Sequence, residues 1–528
     1  MDNLAKRRRL DPDEQRDQES KDIHGSLSRP VSPPPLRHQR PDAQSIKSTG
    51  VLKSPFQLTH IRDLPDSSNV DAATLKDILG DPLIAECWEF NYLHDLEFLM
   101  DQFDSDVKDL VKVHVIHGFW RKEDGSRLRL IGQATKYTNL KLHTAYMPEM
   151  FGTHHSKMLI LIRHDDTAQV IIHTANMIPF DWTNMTQALW RSPLLPKFTN
   201  TPTPSTSGTF GIGAKFKADL LNYLKSYDQT KPAHRGPICT QLVEELTKYD
   251  FSEIRAAIVA SCPGKQSVET DSETSWGWSG LKNVLNNVPV SGKQPTIIVQ
   301  ISSIATLGGT DKWLDKTLFK TLETSSNLTS KGKFHVIFPT ADEVRRSLNG
   351  YISGNAIHTK IQSKQQIQQL TYLKPLLCHW AGDRGQPPAS GSSVPVSDAG
   401  RKRAAPHIKT YIRFTDITRT AIDWMLVTSA NLSKQAWGDT VNSEGNVRVC
   451  SYEIGVMVWP ELFGNGAKMV PTFKTDTPVN GNEEGLVIGA RMPYDLPIVP
   501  YGMDDEPWCA TTTYNEPDWM GQTWPVME

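Results

Sequence analysis

Several things missing from this chain narrow what it can be. No apolar run approaches the ~20 residues needed to cross a bilayer, and the first residues are charged where a secretory signal would be apolar. A soluble protein without a membrane span is therefore expected. The six cysteines (Cys87, Cys239, Cys262, Cys378, Cys450, Cys509) are scattered and form no C-x-x-C pair. That argues for a reducing compartment and against a zinc-finger or disulfide framework. An excess of one charge is missing too. The net is −2 over 528 residues, so any affinity for nucleic acid has to come from a local basic groove. Residues 1–54 have no aromatic residue and are rich in Pro, Ser and Gln. Such a stretch cannot bury enough apolar surface to offset its ordering entropy, and a disordered tail is expected there. Within it, Lys6-Arg7-Arg8-Arg9 reads as a nuclear localisation signal or as a solvated charge run. Ser32, ahead of Pro33-Pro34-Pro35, is a weak phosphorylation signal.

What is present is organised around Phe151–Asn176, FGTHHSKMLILIRHDDTAQVIIHTAN. Two apolar runs, Met158–Ile162 and Val170–Ile172, flank a polar turn, which predicts a strand, a turn and a returning strand. Residues two apart share a face of a strand, so His155 and Lys157 project together while His154 and Ser156 face away. The hairpin returns Asn176 to the same end. A second copy follows. Pro406-His407-Ile408-Lys409 opens the strand TYIRF, and Trp424–Val427 leads into Thr428-Ser429-Ala430-Asn431. Each asparagine is followed six residues later by a tryptophan, Trp182 and Trp437. A lone H-x-K is common by chance, but two that share this sequel are not. The competing reading is a pair of buried hairpins with core histidines.

Alternating strands and helices along the rest of the chain predict an α/β fold with mixed sheets. The Ser- and Thr-rich sequence after Cys262-Pro263-Gly264 marks a boundary. Residues 55–265 and 266–528 are expected to be two similar α-β-α sandwich domains related by a pseudo-twofold axis. Expected helices include Thr74–Leu79, His94–Phe103, Ala214–Tyr227, Gly280–Val288, Lys312–Glu323 and Lys364–Leu373, the last ending ahead of Pro375. Ser302–Gly309 is a hydroxyl- and glycine-rich strand-to-helix turn, suited to phosphate contact or simply a turn. Arg401-Lys402-Arg403 stands either near the mouth of a site or at a solvated loop tip. The C-terminal aromatics (Trp508, Tyr514, Trp519, Trp524) are packing anchors or groove-lining residues.

Two facing imidazoles have complementary uses, because near pH ~6.5 one can be neutral and nucleophilic while the other donates a proton. Two lysines and two asparagines supply charge and N–H donors for a phosphodiester and its transition state. Neither copy carries the carboxylates that a catalytic metal needs, so the lysines are expected to replace it, with no metal and no cofactor. Paired H-x-K…N motifs resemble those of the phospholipase D superfamily, whose usual H-x-K-x4-D ends here at Ile162 and Phe414 instead of aspartate. With that departure, GTHHSK, HTAN, PHIKTY, TSANLSKQAWG and SYEIGV resemble the tyrosyl-DNA phosphodiesterases of the first type, from about Pro55 to Trp508.

That resemblance implies a DNA-repair phosphodiesterase. Its substrate is the 3′-phosphotyrosyl bond between DNA (single-stranded, nicked or blunt-ended) and a stalled topoisomerase I peptide. It implies His155 as nucleophile forming a phosphohistidine, and His407 as the acid that then activates water to leave a 3′-phosphate. Lys157, Lys409, Asn176 and Asn431 match the phosphate clamp, and Gln187 and Glu453 the pair that orients the imidazoles; which ring each touches is left open. Ser303, Thr306 and Ser433 match DNA contacts, Phe151 a base-stacking residue and Tyr92 the peptide side. A nuclear, monomeric enzyme is implied. The alternatives are another nuclease or phospholipase of the superfamily, or an inactive DNA-end-binding scaffold; a zinc site on His154 and His155 lacks partners at ligand spacing.

Overall fold

The structure is a computed structural model and describes residues 50–199, 209–229, 236–268, 274–292, 294–328, 330–382, 395–479 and 485–525. Lys6–Arg9, Ser32 and the expected tail up to residue 49 lie outside the described residues. The expected tail and the folded body meet earlier than composition suggested. Gly50–Leu52 forms a strand, and Ser54 is buried with its Oγ bonded to Phe56 O.

The first strand, β1 (Gly50–Leu52), precedes β2 (Phe56–Leu58), β3 (Ile84–Phe90), β4 (Lys112–His117), β5 (Leu140–Thr144), β6 (Met158–Arg163), β7 (Thr167–His173), β8 (Ala188–Arg191) and β9 (Leu195–Pro196). Next come β10 (Ala257–Ser261), β11 (Gly264–Ser267), β12 (Thr296–Gln300), β13 (Lys333–Ile337), β14 (Leu377–Cys378) and β15 (Thr410–Phe414). The last are β16 (Ile422–Thr428), β17 (Asn446–Val449), β18 (Glu453–Val458), β19 (Lys468–Thr472) and β20 (Leu486–Arg491). One sheet contains the order β8-β7-β6-β3-β4-β5, and the other β18-β16-β15-β12-β13-β14. In both, the first three neighbouring pairs are antiparallel and the last two parallel. The two halves thus repeat one mixed-sheet topology, with H-x-K leading into β6 and β15 and the asparagines following β7 and β16.

Both faces of the first sheet are covered, which is why its strands read as unbroken apolar runs instead of alternating. Trp88, Phe90, Ile160 and Ile172 face a core shared with Phe216, Tyr223 and the second sheet. Cys87, Leu159, Leu161 and Ile171 face a smaller core with Leu96, Leu99 and Leu130. The halves also exchange strands. Strand β10, ahead of the boundary expected at 265/266, pairs antiparallel with β18, and β1 adds parallel to β20. Ser48–Glu528 is accordingly one unit.

Two central features escaped the sequence reading. Strand β3 carries Glu86 and Glu89 in an apolar run: Trp88 Nε1 donates to Glu86 at 2.6 Å, while buried Glu89 lies 2.8 Å from His94 Nδ1 without hydrogen-bond geometry. The helix Gly125–Ala134 has a single buried residue, Leu130, and so almost no apolar stripe. The helix Lys364–Leu373 does stop before Pro375 and starts from a Ser363/Gln366 capping box. Within the expected helix Lys312–Glu323, Leu314–Phe319 is wound as a π-helix. Of the C-terminal aromatics, Trp508 is a packing anchor with Tyr514 and Trp524 against its ring, while Trp519 is largely exposed. Trp508, fully buried, donates from Nε1 to Gly354 O and Ile357 O, and Trp519 to Ser347 O. They hold the 350–356 turn, whose Ile352, Asn355 and Ala356 line the cleft described next.

Candidate active site

The seam between the halves is built from backbone. Just ahead of the first motif, Tyr452 N donates to Thr153 O and His155 N donates to Tyr452 O, at 3.0 and 2.9 Å. The mirror arrangement occurs at the second motif, where Thr186 N donates to Ala405 O and Thr186 O accepts from His407 N. Each bridge joins the residue before one half's histidine to the residue before the other half's Gln187 or Glu453. Gly152 allows the approach, since a Cβ there would lie 1.9 Å from Cys450 O. The result is one cleft of about 520 Å³, lined by His155, Asn176 and Asp181 from the first half and His407, Asn431 and Glu453 from the second.

The predicted face assignment is what forms. His154 turns into the core, bonded to Asn91 O and Tyr227 OH, and Ser156 meets Tyr223. His155 and Lys157 share the other side. Lys157 Nζ donates to His155 O at 3.2 Å, and Lys409 Nζ repeats this contact with His407 O. Both lysines are fully buried. Burial pushes Lys157 down to about 8, against the pull of Glu453 and Asp181. Burial and the Lys157 charge push Lys409 well below its usual value. An anion placed between them would relieve that cost.

Each imidazole is held by a carboxylate from the opposite half. His155 Nδ1 lies 2.9 Å from Glu453 Oε2, which also accepts from Ser429 Oγ at 2.6 Å. Burial favours neutral Glu453, yet the His155 ring and the Ser429 bond outweigh it and hold the carboxyl below its ordinary value. Glu453 is therefore ionised and Nδ1–H donates to it, which leaves Nε2 of His155 with a free lone pair. Burial keeps His155 itself below its usual value, so the ring is neutral at pH 7.

Around His407 the structure adds a residue that the sequence reading missed. Nδ1 of His407 lies 3.1 Å from Asp181 Oδ2 and 3.0 Å from Gln187 Nε2. The same Asp181 oxygen accepts from Asn176 N at 2.6 Å and from Gln187 Nε2 at 3.3 Å. Gln187 thus meets His407 and Glu453 meets His155, and Asp181 puts a carboxylate on the amide side as well. An asymmetry remains, because Asp181 shares its oxygen among three donors and has less charge to lend to the ring. Burial and Lys409 bring His407 down to about 3 despite Asp181. The signal for Asp181 was a lone acid five residues after Asn176, where the second copy has Ala436.

The predicted contacts divide. Ser303, Ser433, Phe151 and Tyr92 line the cleft, Phe151 with a ring 73% exposed and Tyr92 with its ring 5.6 Å from that of His155. Thr306 does not line it; it is exposed, and its hydroxyl accepts from Gln366 Nε2 at 3.4 Å. The turn at 302–307 offers hydroxyls to the cleft but not the free N–H groups expected of it. Ser302 N and Ser303 N donate to Asn431 Oδ1, and Ile304, Ala305 and Leu307 N–H groups are likewise taken. Asn431 is thereby pinned by its oxygen. Arg401 is neither at the mouth nor at a solvated tip: it is 1% exposed. His358 lines the cleft without having been predicted, bridged to Ser303.

A duplicated mixed sheet whose two H-x-K…N hairpins meet in one cleft defines a phosphodiesterase of the phospholipase D superfamily. A family model described as tyrosyl-DNA phosphodiesterase matches residues 55–502. The chain belongs to the tyrosyl-DNA phosphodiesterase family. It is 34% identical to a probable tyrosyl-DNA phosphodiesterase of Schizosaccharomyces pombe, over 93% of this chain and 98% of that one. It is 29% identical to tyrosyl-DNA phosphodiesterase 1 of Arabidopsis thaliana, over 90% and 77%. Its fold matches the crystal structure of the yeast tyrosyl-DNA phosphodiesterase with a TM-score of 0.60 at 24% identity, covering 87% of this chain and 99% of that one.

Proposed function

We propose that this phosphodiesterase hydrolyses the bond between a DNA 3′-phosphate and a tyrosyl residue, with a topoisomerase I peptide as leaving group. The observation that carries the reading is the crossed support of the two rings, Glu453 on His155 and Asp181 with Gln187 on His407. In the first step Nε2 of His155 attacks phosphorus, an N–P bond forms, and the P–O bond to tyrosine breaks while His407 protonates the departing oxygen. In the second, His407 takes a proton from water, the water oxygen joins phosphorus, and the N–P bond breaks to leave a 3′-phosphate. Lys157, Lys409, Asn176 and Asn431 hold the non-bridging oxygens throughout.

His407 must carry a proton in the first step although burial disfavours it in the free enzyme. A bound phosphodiester brings negative charge to the lysines and restores that proton. Ser303, Ser433 and Phe151 would take the DNA strand and Tyr92 the peptide. A nuclear, monomeric enzyme is the form this reading implies, since its substrate would be chromosomal DNA and one chain carries both imidazoles. Turnover of a 3′-phosphotyrosyl oligonucleotide, compared with intact DNA and with phosphatidylcholine vesicles, tests the reading. The tyrosyl substrate is expected to be strongly preferred, and equal or better turnover of either other substrate contradicts it. Activity is also expected to survive EDTA, because the lysines supply the positive charge; loss on chelation, restored by a divalent ion, would contradict that.

A further inference from the structure

Arg401 stands six residues ahead of His407, on the chain leading into β15, and its side chain is buried. Its Nη1 donates to Asn69 Oδ1 at 3.2 Å, while Nε and Nη2 are buried without a partner among the described residues. Arg491, at the end of β20, is equally buried. Its Nη1 donates to Val70 O at 3.1 Å and to Asp476 Oδ1 at 3.3 Å, and again Nε and Nη2 have no partner. Asn69 and Val70 are consecutive, so the two guanidinium groups meet the same turn of the first half. Together they leave four buried N–H-bearing nitrogens unsatisfied, where buried donors are nearly always paired.

The charge does not balance either. The neighbouring carboxylates have cations of their own: Asp71 pairs with Lys53 at 2.8 Å, Asp398 with Lys474 at 2.7 Å and Asp495 with Lys402 at 3.1 Å. Asp476 pairs with Arg491. That leaves Arg401 with no carboxylate at ion-pair distance among the described residues. Burial, and Arg491 beside it, press Arg401 down to about 9, so it is still charged at pH 7. Burial lifts Asp476 to about 7, so at neutral pH and above it offers at most one negative charge, to Arg491, and none to Arg401. A buried guanidinium without a counter-ion is strongly unfavourable. Water could fill the donors, yet it would leave the charge.

We propose that one monovalent inorganic anion, with the charge and size of chloride, is bound between Arg401 and Arg491. A single negative charge cancels the excess and accepts from donors of both groups, whereas a divalent oxyanion would put surplus negative charge beside Asp476. The anion ties the Asn69–Val70 turn to β20 and to the segment entering β15. Three residues on, that segment bonds to the first half through Ala404 O and Thr186 Oγ1 at 2.7 Å, next to His407. The site is therefore a structural clamp on the approach to one of the two imidazoles.

The test is a crystal of the full chain with bromide replacing chloride, measured for anomalous scattering. A bromide peak within about 3.5 Å of the unpaired nitrogens of both arginines is expected. Water without anomalous signal there, or a tetrahedral oxyanion, overturns the proposal. Thermal unfolding at constant ionic strength, with gluconate exchanged for chloride, separates a built site from soaking. The Tm should rise by about 1–2 °C per tenfold chloride, and Arg401→Leu should abolish that rise. A wild-type Tm indifferent to chloride overturns the proposal even if Arg401→Leu fails to fold.

Discussion

Glu453 reaches His155 across 298 positions of chain, and Asp181 reaches His407 across 226. Each carboxylate fixes which ring nitrogen carries the proton, so each substitution should damage a different step. Glu453→Gln is expected to slow adduct formation by on the order of 10²-fold, because His155 would lose both its tautomer and its basicity. Asp181→Asn should act on the steps that need His407, slowing breakdown of the adduct more than its formation when the leaving group is good. Rapid-quench measurement of the two phases checks both; equal effects on both phases from either variant would contradict the assignment. Lys409→Met should lower kcat by about 10²–10³-fold in the same assay, with no rescue by added divalent ions.

The hairpins are the elements the sequence announced most clearly, because H-x-K, the small-Ala-Asn return and the tryptophan are all local words. Their faces were also legible in part: His154 and Ser156 went to the core and His155 to the cleft, while Lys157 is buried behind it with Nζ on His155 O. Which carboxylate serves which ring was not, since that depends on contacts between the halves and has no spacing in the chain to betray it. Strand β3 was hidden by Glu86 and Glu89, beside which Trp88 and His94 come only once the fold exists. Arg401 was misread for a similar reason, as basic runs are usually solvated and this one is partly not. The seam itself makes a prediction. Gly152→Ala places a methyl group 1.9 Å from a backbone oxygen of the other half, so it should cost about 1–3 kcal/mol and lower the Tm. Unchanged Tm and activity would mean that the halves do not approach so closely.

The whole molecule carries several histidines buried in neutral form, and this gives its stability a pH dependence. His117, His154 and His173 are each at most 1% exposed, and burial brings each down to about 3. In the unfolded chain they take up protons near 6.5, while the folded protein resists until far lower pH. Stability is therefore complete above about 6.5 and is lost as pH falls towards 3, by on the order of 1–2 kcal/mol per histidine at pH 5. Chemical unfolding at pH 7.5 and pH 5 should show the drop, and a stability that is flat or rising on acidification would contradict it.

Two halves make one site, in which a single imidazole is expected to attack. The most direct measurement is trapping of the covalent adduct in a His407→Asn variant with a 3′-end-labelled phosphotyrosyl oligonucleotide, followed by mapping of the labelled peptide. The label is expected on the peptide carrying His155, and His155→Ala should give none. Label elsewhere in the chain, or turnover without any adduct, would contradict the account.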